Sequence, residues 1–396
     1  MMAIFAFAVT LLLAVLISDL AHRSVLSTAV LFLLAGFLVG NGMLDVLPLQ
    51  TDSPVISVFA ELALFSVLFT DGMRIGYRDL LSAWELPGRA LFLGLPLTLL
   101  ITAVLAYTLT SLSWPEALLF GAILSPTDPV FASAIVGREE VPTRLRHLLN
   151  VESGLNDGLA LPIVLVMLAT LGEADIGFHT FLELVIGVVV GVVVPWIAIR
   201  LEKTRFFEAT AEYEPLHAFA IGLLVFSITS LTHANEFLAA FAAGITIATM
   251  SKSLEKEFQK FGELVTELLK LAGLLVFGAL ISPQFLSEIS WNGYVLALFV
   301  LLFARPFALG IALLGSQLSF KEKVTVAWFG PKGFASVFFG LLILEAGVAQ
   351  GDRLFHLVAI VIVGSIVAHS STDVLVAQWF HRGEASPRPT ANDPVL

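Results

Sequence analysis

Two short polar motifs sit inside apolar stretches of the chain. The first is Ser125-Pro126-Thr127-Asp128-Pro129. Its two prolines remove two backbone donors, so a helix should break there and leave bare carbonyls beside an acid. The second is Glu152-Ser153-Gly154-Leu155-Asn156-Asp157-Gly158. On a helix Ser153 and Asp157 are four apart and share a face, and Glu152 and Asn156 share another face about 100° away. Gly154 and Gly158 permit close backbone approach. Hydroxyls, freed carbonyls and a carboxylate are the oxygen donors a hard cation takes. The same carboxylate can instead take a proton.

Blander readings exist for both. Asp128 could simply cap a structural kink, and the Glu152 segment could be a capping stretch at a membrane surface. Depth argues against the second. Asp157 lies 11 residues past Arg146, about 16 Å at 1.5 Å per residue, or half of a hydrocarbon core of about 30 Å. Asp128 lies 10 residues before Arg138, about 15 Å by the same rise. The two acids therefore reach one depth.

Two further places combine charge with a helix breaker. Arg305-Pro306 puts an always-charged guanidinium in an apolar stretch, where it requires a carboxylate; Glu152 is the expected partner. Gly330-Pro331-Lys332-Gly333 is the second. Lesser candidates receive plainer readings. Asp71 ends a span near the inner edge. Glu61, Glu183 and Lys270 face the bundle or an interface, His369 is a hydrogen-bonded packing residue, and His147 and His233 lie in loops.

The elements that must position these groups are membrane helices. The 396 residues are 58% hydrophobic and only 13% charged, against about 25% charged in soluble domains. A net charge of −11 argues against nucleic acid as a partner, and the absence of cysteine excludes disulfide frameworks and thiolate metal sites. Thirteen apolar stretches are long enough to span: 3–20, 25–42, 54–71, 89–112, 115–136, 148–171, 178–199, 215–232, 235–250, 261–281, 291–314, 323–346 and 355–378. No strand alternation of the membrane-barrel kind appears. The expected fold is an all-α polytopic membrane protein of about 13 transmembrane helices. Residues 1–380 form the bundle, and 381–396 form a short disordered cytoplasmic tail. The first stretch reads as a helix and not as a cleavable signal peptide, and no soluble domain is expected beside the bundle.

Of the 21 Lys and Arg, 17 fall in alternate loops, one (Arg353) falls in the others, and Lys270, Arg305 and Lys332 lie within spans. This bias places the N-terminus out and the C-terminus in. The fifth and twelfth spans are both broken. Paired interruptions of this kind predict inverted repeats, with spans 4–6 related to spans 11–13 and a substrate site at the midplane. No residue-level repeat accompanies the pattern.

At these residues the chain resembles bacterial sodium/proton antiporters of the NhaP type, in the cation/proton antiporter 1 family. The resemblance covers most of the chain. It is carried by Leu68-Phe69-Thr70-Asp71-Gly72, Ser125 to Pro129, Val151 to Gly158, Arg305-Pro306 and Gly330 to Gly333. It implies a homodimer in which a mobile core, roughly 89–171 and 291–378, moves beside a dimerisation scaffold made of the remaining helices. It implies that Asp157 carries the ion and the proton, helped by Ser153, Thr127, Asp128 and Asp71. It also implies a Glu152–Arg305 pair, and Asn156 holding the broken fifth span. Two departures accompany it: Lys332 stands where relatives often have Arg, and some relatives place the third-span acid one position before Asp71.

The expected function is secondary transport, not enzymatic catalysis: exchange of Na⁺, Li⁺ or K⁺ for H⁺ across a bacterial inner membrane, with no cofactor. Asp157, Ser153 and Thr127 would hold the metal ion. A proton and a cation compete for one carboxylate, and a bare acid is too costly to carry across lipid. Because Asn156 beside Asp157 cannot titrate, the exchange should be electroneutral. A cation channel or an ion-coupled solute symporter is the alternative. An intramembrane protease would need His-Glu-x-x-His, which is absent. Ser365 and His369, four apart in the last span, lack an oxyanion-hole motif.

Overall fold

The structure, a computed structural model, describes residues 2–17, 27–46, 54–75, 85–128, 141–172, 178–204, 210 and 213–383. Pro129, Arg138, Arg23, Arg78, Arg205 and Arg388 lie outside the described residues, as do 384–396 of the expected tail.

Among the described residues the regular structure is helical. The helices are α1 (Met2–Leu16), α2 (Thr28–Val39), α3 (Pro54–Met73), α4 (Leu86–Leu109), α5 (Trp114–Leu124), α6 (Thr143–Leu171), α7 (Phe178–Glu202) and α8 (Glu214–Thr232). They continue with α9 (Glu236–Met250), α10 (Lys252–Leu280), the short α11 (Pro283–Glu288), α12 (Trp291–Ala312), α13 (Phe320–Trp328), α14 (Phe334–Glu345) and α15 (Gly351–Gly383). Every one of the thirteen apolar stretches carries helix, the twelfth as the pair α13 and α14. By length and composition α4, α6, α12 and the apolar parts of α7 and α15 are each long enough to cross a membrane unaided.

Boundaries differ from expectation in two places. Residues 252–260 were expected in a loop, but α10 starts at Lys252, bent by 119° from α9. Ser251 makes that corner: its Oγ accepts the Leu254 N–H at 3.4 Å and starts a new helix. The last helix runs to Gly383, so the first three residues of the segment expected to be a disordered tail are helical.

Both breaks that the prolines predict are present. α5 stops at Leu124, followed by non-helical Ser125 to Asp128. Between α13 and α14, Phe329 to Gly333 are non-helical. A second correspondence is new. α4 contains a π-helical turn at Ala90–Gly94 just before Leu95-Pro96. α12 contains one at Val300–Ala304 just before Arg305-Pro306. Proline cannot donate to the preceding turn, and a widened turn absorbs the missing bond. The fourth and eleventh spans thus share a proline-linked π turn, as the fifth and twelfth share a break.

Packing relies on small residues that bring backbones together. A Cβ at Gly36 would lie 2.1 Å from the Leu275 carbonyl of α10, and one at Gly72 would lie 2.4 Å from the Phe241 carbonyl of α9. Polar side chains add cross-links: Thr70 to Thr266 at 2.8 Å joins α3 to α10, and Ser27 to Ser370 at 2.9 Å joins α2 to α15. The outer face of α7 exposes Val185, Val188, Val192 and Trp196, the apolar surface that lipid favours.

Candidate functional site

The two interrupted helices cross, and their broken segments bind one another. Asp128 donates its backbone N–H to the Pro331 carbonyl at 3.0 Å. Phe334 donates its N–H to Asp128 Oδ2 at 3.1 Å. Ser336 donates its hydroxyl to the Ile123 carbonyl at 2.7 Å. Broken backbone in lipid must find such partners. Asp128 is thus a helix cap, but for α14 of the opposite span, not for its own kink. At Gly333 a Cβ would fall 1.9 Å from the Asp128 Cβ; glycine is what lets the segments touch.

Helix α6 lies against this crossing and buries Glu152, Ser153, Asn156 and Asp157. Its two polar faces separate as the spacing predicts. Asn156 Nδ2 donates to Thr127 Oγ1 at 2.7 Å, and Thr127 Oγ1 lies 3.3 Å from Ser153 Oγ. Glu152 takes both arms of Arg305, at 2.6 and 2.9 Å. The same guanidinium reaches the Val326 and Phe329 carbonyls at 3.4 and 3.3 Å. These are orphan carbonyls at the end of α13, so Arg305 also caps the other half of the twelfth span.

Asp157 is 3% exposed. Among the described residues it makes no hydrogen bond or ion pair, although its neighbours on α6 do. Lys332, also 3% exposed, leaves Nζ without a hydrogen-bond partner; its backbone N–H goes to Ser365 Oγ at 2.8 Å. Asp71 is buried on α3, with Arg74 3.5 Å away. Arg74 also reaches Glu263 at 3.2 Å. The charges of Asp71, Asp128, Lys270 and Lys332 all act on Asp157. The nine residues singled out in the sequence therefore gather about one crossing. Asp71 approaches from a separate helix, and Asp128 has one carboxylate oxygen committed to the cap.

Two features add detail to the plainer readings. Lys270, expected to face the bundle or an interface, is on α10 and 3% exposed, with Nζ 5.1 Å from the Phe334 ring centroid. Its signal was present in the spacing: Glu263, Thr266, Glu267 and Lys270 form one polar stripe at i, i+3, i+4 and i+7. The second is a clamp from α15, in which His369 is the hydrogen-bonded packing residue expected. His369 Nε2 lies 2.9 Å from the Trp328 carbonyl, and Thr372 accepts the Trp328 indole N–H at 2.9 Å.

At the end of the bundle where Arg144 lies, that residue forks onto Glu322 at 2.7 and 2.6 Å. Burial acts to raise the Glu322 carboxyl, but hydrogen bonds from Arg144 and Ser319 outweigh it and hold the group below its ordinary value of 4.5.

A paired break, a buried acid and an all-helical bundle define a membrane transporter of the crossed-helix kind. The transmembrane sodium/hydrogen exchanger family matches residues 8–378, and the chain belongs to that family. Its fold is similar to that of the sodium proton antiporter MjNhaP1 from Methanocaldococcus jannaschii, with a TM-score of 0.75 and 22% identity over 96% of this chain and 97% of that one. In sequence it is similar to the K(+)/H(+) antiporter NhaP2 of Shewanella sp. (strain MR-4), 24% identical over 95% of this chain. It is also similar to the K(+)/H(+) antiporter NhaP of Alkalimonas amylolytica, 23% identical over 96% of this chain. The chain spans 66% of the Shewanella protein's length.

Proposed function

We propose that this chain exchanges a monovalent alkali cation for protons across a bacterial inner membrane, with Asp157 as the shared site. The observation that carries this reading is a buried carboxylate with no hydrogen bond among the described residues, set beside the hydroxyls of Ser153 and Thr127 at a crossing of two broken helices. Buried polar groups are ordinarily partnered. A group left free at such a place suits a partner that comes and goes. The oxygen donors suit Na⁺, Li⁺ or K⁺, and the named relatives divide between potassium and sodium.

In this reading thirteen helices span the bilayer, with the N-terminus out and the C-terminus in. Spans 4–6 and 11–13, roughly 89–171 and 291–378, form the moving core of two inverted repeats. The matched π turns and matched breaks support that pairing. The remaining helices form the scaffold of a homodimer. Asp128 and Asn156 hold the crossing, Glu152 and Arg305 neutralise one another, and Asp71 faces the site from the scaffold. Alternating access then exposes Asp157 to each side in turn. With Asn156 unable to titrate, protonated and cation-loaded forms carry equal charge, so exchange is electroneutral.

The test is proton flux in everted vesicles, read by a pH-sensitive dye on adding each cation in turn. Flux that needs a cation, is lost in Asp157→Asn and neither generates nor responds to a membrane potential is the expected result. Proton flux without any counter-cation would point to a channel, and robust exchange by Asp157→Asn would refute the site.

A further inference from the structure

We propose that a cavity at the Arg144 end of the bundle binds the headgroup of a phospholipid that carries a primary ammonium, of the phosphatidylethanolamine type. The site is separate from Asp157 and independent of its role; it needs only that this end of the bundle stands at a membrane surface.

The cavity holds about 660 Å³, within the usual range for a small-molecule site. It lies between the first turn of α4, Arg144 in the first turn of α6, and the loop 315–318 that joins α12 to α13. α4 has 24 residues from Leu86. That is about 36 Å of helix for a hydrocarbon core of about 30 Å, so its first turn stands at headgroup level. Phe92 and Leu93 line the same cavity, about 5 Å further in than Arg89, and are 50% and 54% exposed. A charged mouth that runs into an exposed apolar edge has the profile of a lipid.

Three charged side chains line the cavity: Glu85, Arg89 and Arg144. Arg144 forks onto Glu322 through Nε and Nη2, so its charge is answered and its Nη1 arm is left over. Arg89 gives Nη1 to the Leu314 carbonyl at 3.1 Å and makes no ion pair among the described residues. Glu85 stands at the start of α4 with helical backbone angles, but its side chain does not cap the helix. It also makes no ion pair among the described residues. Glu85 and Arg89 are four positions apart, the spacing at which opposite charges on a helix ordinarily pair. Their separation leaves one negative and one positive group unanswered about the same cavity.

That balance decides the class of ligand. An anionic headgroup would satisfy Arg89 and place a further negative charge beside Glu85. A zwitterion satisfies both. Its phosphodiester oxygens take N–H groups from Arg89 and from the spare arm of Arg144, and its ammonium donates to Glu85. The ammonium must carry N–H groups, because an ionised carboxylate only accepts. A quaternary ammonium is held instead by a cage of aromatic faces, and Phe92 is the one aromatic side chain in the described lining. Such an occupant fastens α4, α6 and α13 at one edge of the bundle. Glu322, which Arg144 holds, also closes the capping box that starts α13.

The experiment uses the full chain in detergent, read by native mass spectrometry. Lipids with identical acyl chains are offered in pairs at equal concentration: phosphatidylethanolamine against phosphatidylcholine, then against phosphatidylglycerol. The wild type should retain phosphatidylethanolamine over each by on the order of tenfold, the value of one charge-assisted hydrogen bond. Glu85→Gln should abolish both preferences. Arg89→Gln should weaken phosphatidylethanolamine and phosphatidylcholine alike and leave their ratio unchanged. Phosphatidylethanolamine should also raise the melting temperature of the wild type more than phosphatidylcholine does, and should lose that advantage in Glu85→Gln. Glu85 is exposed, so this variant should melt as the wild type does before lipid is added. Equal retention of the paired lipids by the wild type, a preference for phosphatidylglycerol, or an unchanged preference in Glu85→Gln would overturn the inference. Displacement of the lipid by glycerophosphoethanolamine at equal concentration would overturn the membrane as the source, since the headgroup alone would then be the ligand.

Discussion

Asp128 and Phe334 are 206 positions apart in sequence, yet the acid in the break of one span holds the first residue of the half-helix that follows the break of the other. The Phe334 N–H is the first donor of α14, and Asp128 accepts it. An acid at this point offsets the positive end of a half-helix as well as satisfying its donor. Asp128→Asn keeps an acceptor and should fold and exchange, with reduced rate. Asp128→Ala should lose the cap, about 0.5–2 kcal/mol, and most of the exchange. Thermal unfolding in detergent beside flux in vesicles separates the two losses. Wild-type melting and flux in Asp128→Ala would show the cap to be idle.

Arg305 has more bonds to lose than Glu152. It holds the carboxylate and two carbonyls at the end of α13. Arg305→Met should therefore destabilise more than Glu152→Gln, with about 3–5 kcal/mol expected when one buried charge is left alone. Arg305→Lys should rescue poorly, because an ammonium cannot fork onto a carboxylate. Equal melting shifts for Arg305→Met and Glu152→Gln would mean that the carbonyl contacts contribute nothing.

The Glu152–Arg305 pair and both breaks were legible in the sequence because each violates a rule of the membrane: charge or proline where lipid tolerates neither. Counting residues from the nearest loop cation predicts Asp128 and Asp157 at one depth, and both are buried about the same crossing. The same method failed for Asp128's partner. Capping of α14 by a residue 206 positions away depends on how two helices cross, and no local pattern encodes that. Lys270 received only the reading of a residue facing the bundle or an interface, for a different reason. It lies in a polar stripe wholly inside the tenth apolar stretch, with no proline or glycine break beside it to mark the charge. The π turns could not be foreseen, although the X-Pro steps that require them were visible at Pro96 and Pro306.

Glu322 gives a pH prediction at the bundle's end. Its carboxyl is held below 4.5 in the folded protein, chiefly through Arg144 once burial is overcome. A group depressed in this way contributes stability above its unfolded value and loses it as pH falls through the folded value. Glu322→Gln should thus let the mutant and wild-type acid-unfolding curves converge as pH falls below 4.5 and through the lower folded value, with wild type the more stable near neutrality. Parallel curves across the whole range would show that Arg144 does not stabilise the ionised form.

Ser365 and His369 carry the last prediction. His369 Nε2 faces the Trp328 carbonyl at 2.9 Å, so that nitrogen must bear a proton. Nδ1 lies 3.2 Å from Ser365 Oγ, which accepts the Lys332 N–H at 2.8 Å. One helix of the last span therefore holds both sides of the break in the twelfth: the carbonyl that ends α13 and the amide that precedes α14. With Nε2 protonated and neutral overall, the ring accepts from the Ser365 hydroxyl and the chain runs unbroken from Lys332 to Trp328. A second proton would make Nδ1 a donor to the Ser365 carbonyl, already 2.8 Å away, and end its acceptance from the Ser365 hydroxyl. His369→Leu should widen the break and raise the apparent KM for the cation several-fold, and Ser365→Ala should do the same to a smaller extent. His369→Gln, which can still donate to a carbonyl, should recover most of the affinity. Nitrogen-15 spectra of histidine-labelled protein, assigned by difference against His369→Gln, should show a neutral ring protonated on Nε2. A ring protonated on Nδ1 alone, or equal KM values for the Leu and Gln variants, would remove the clamp.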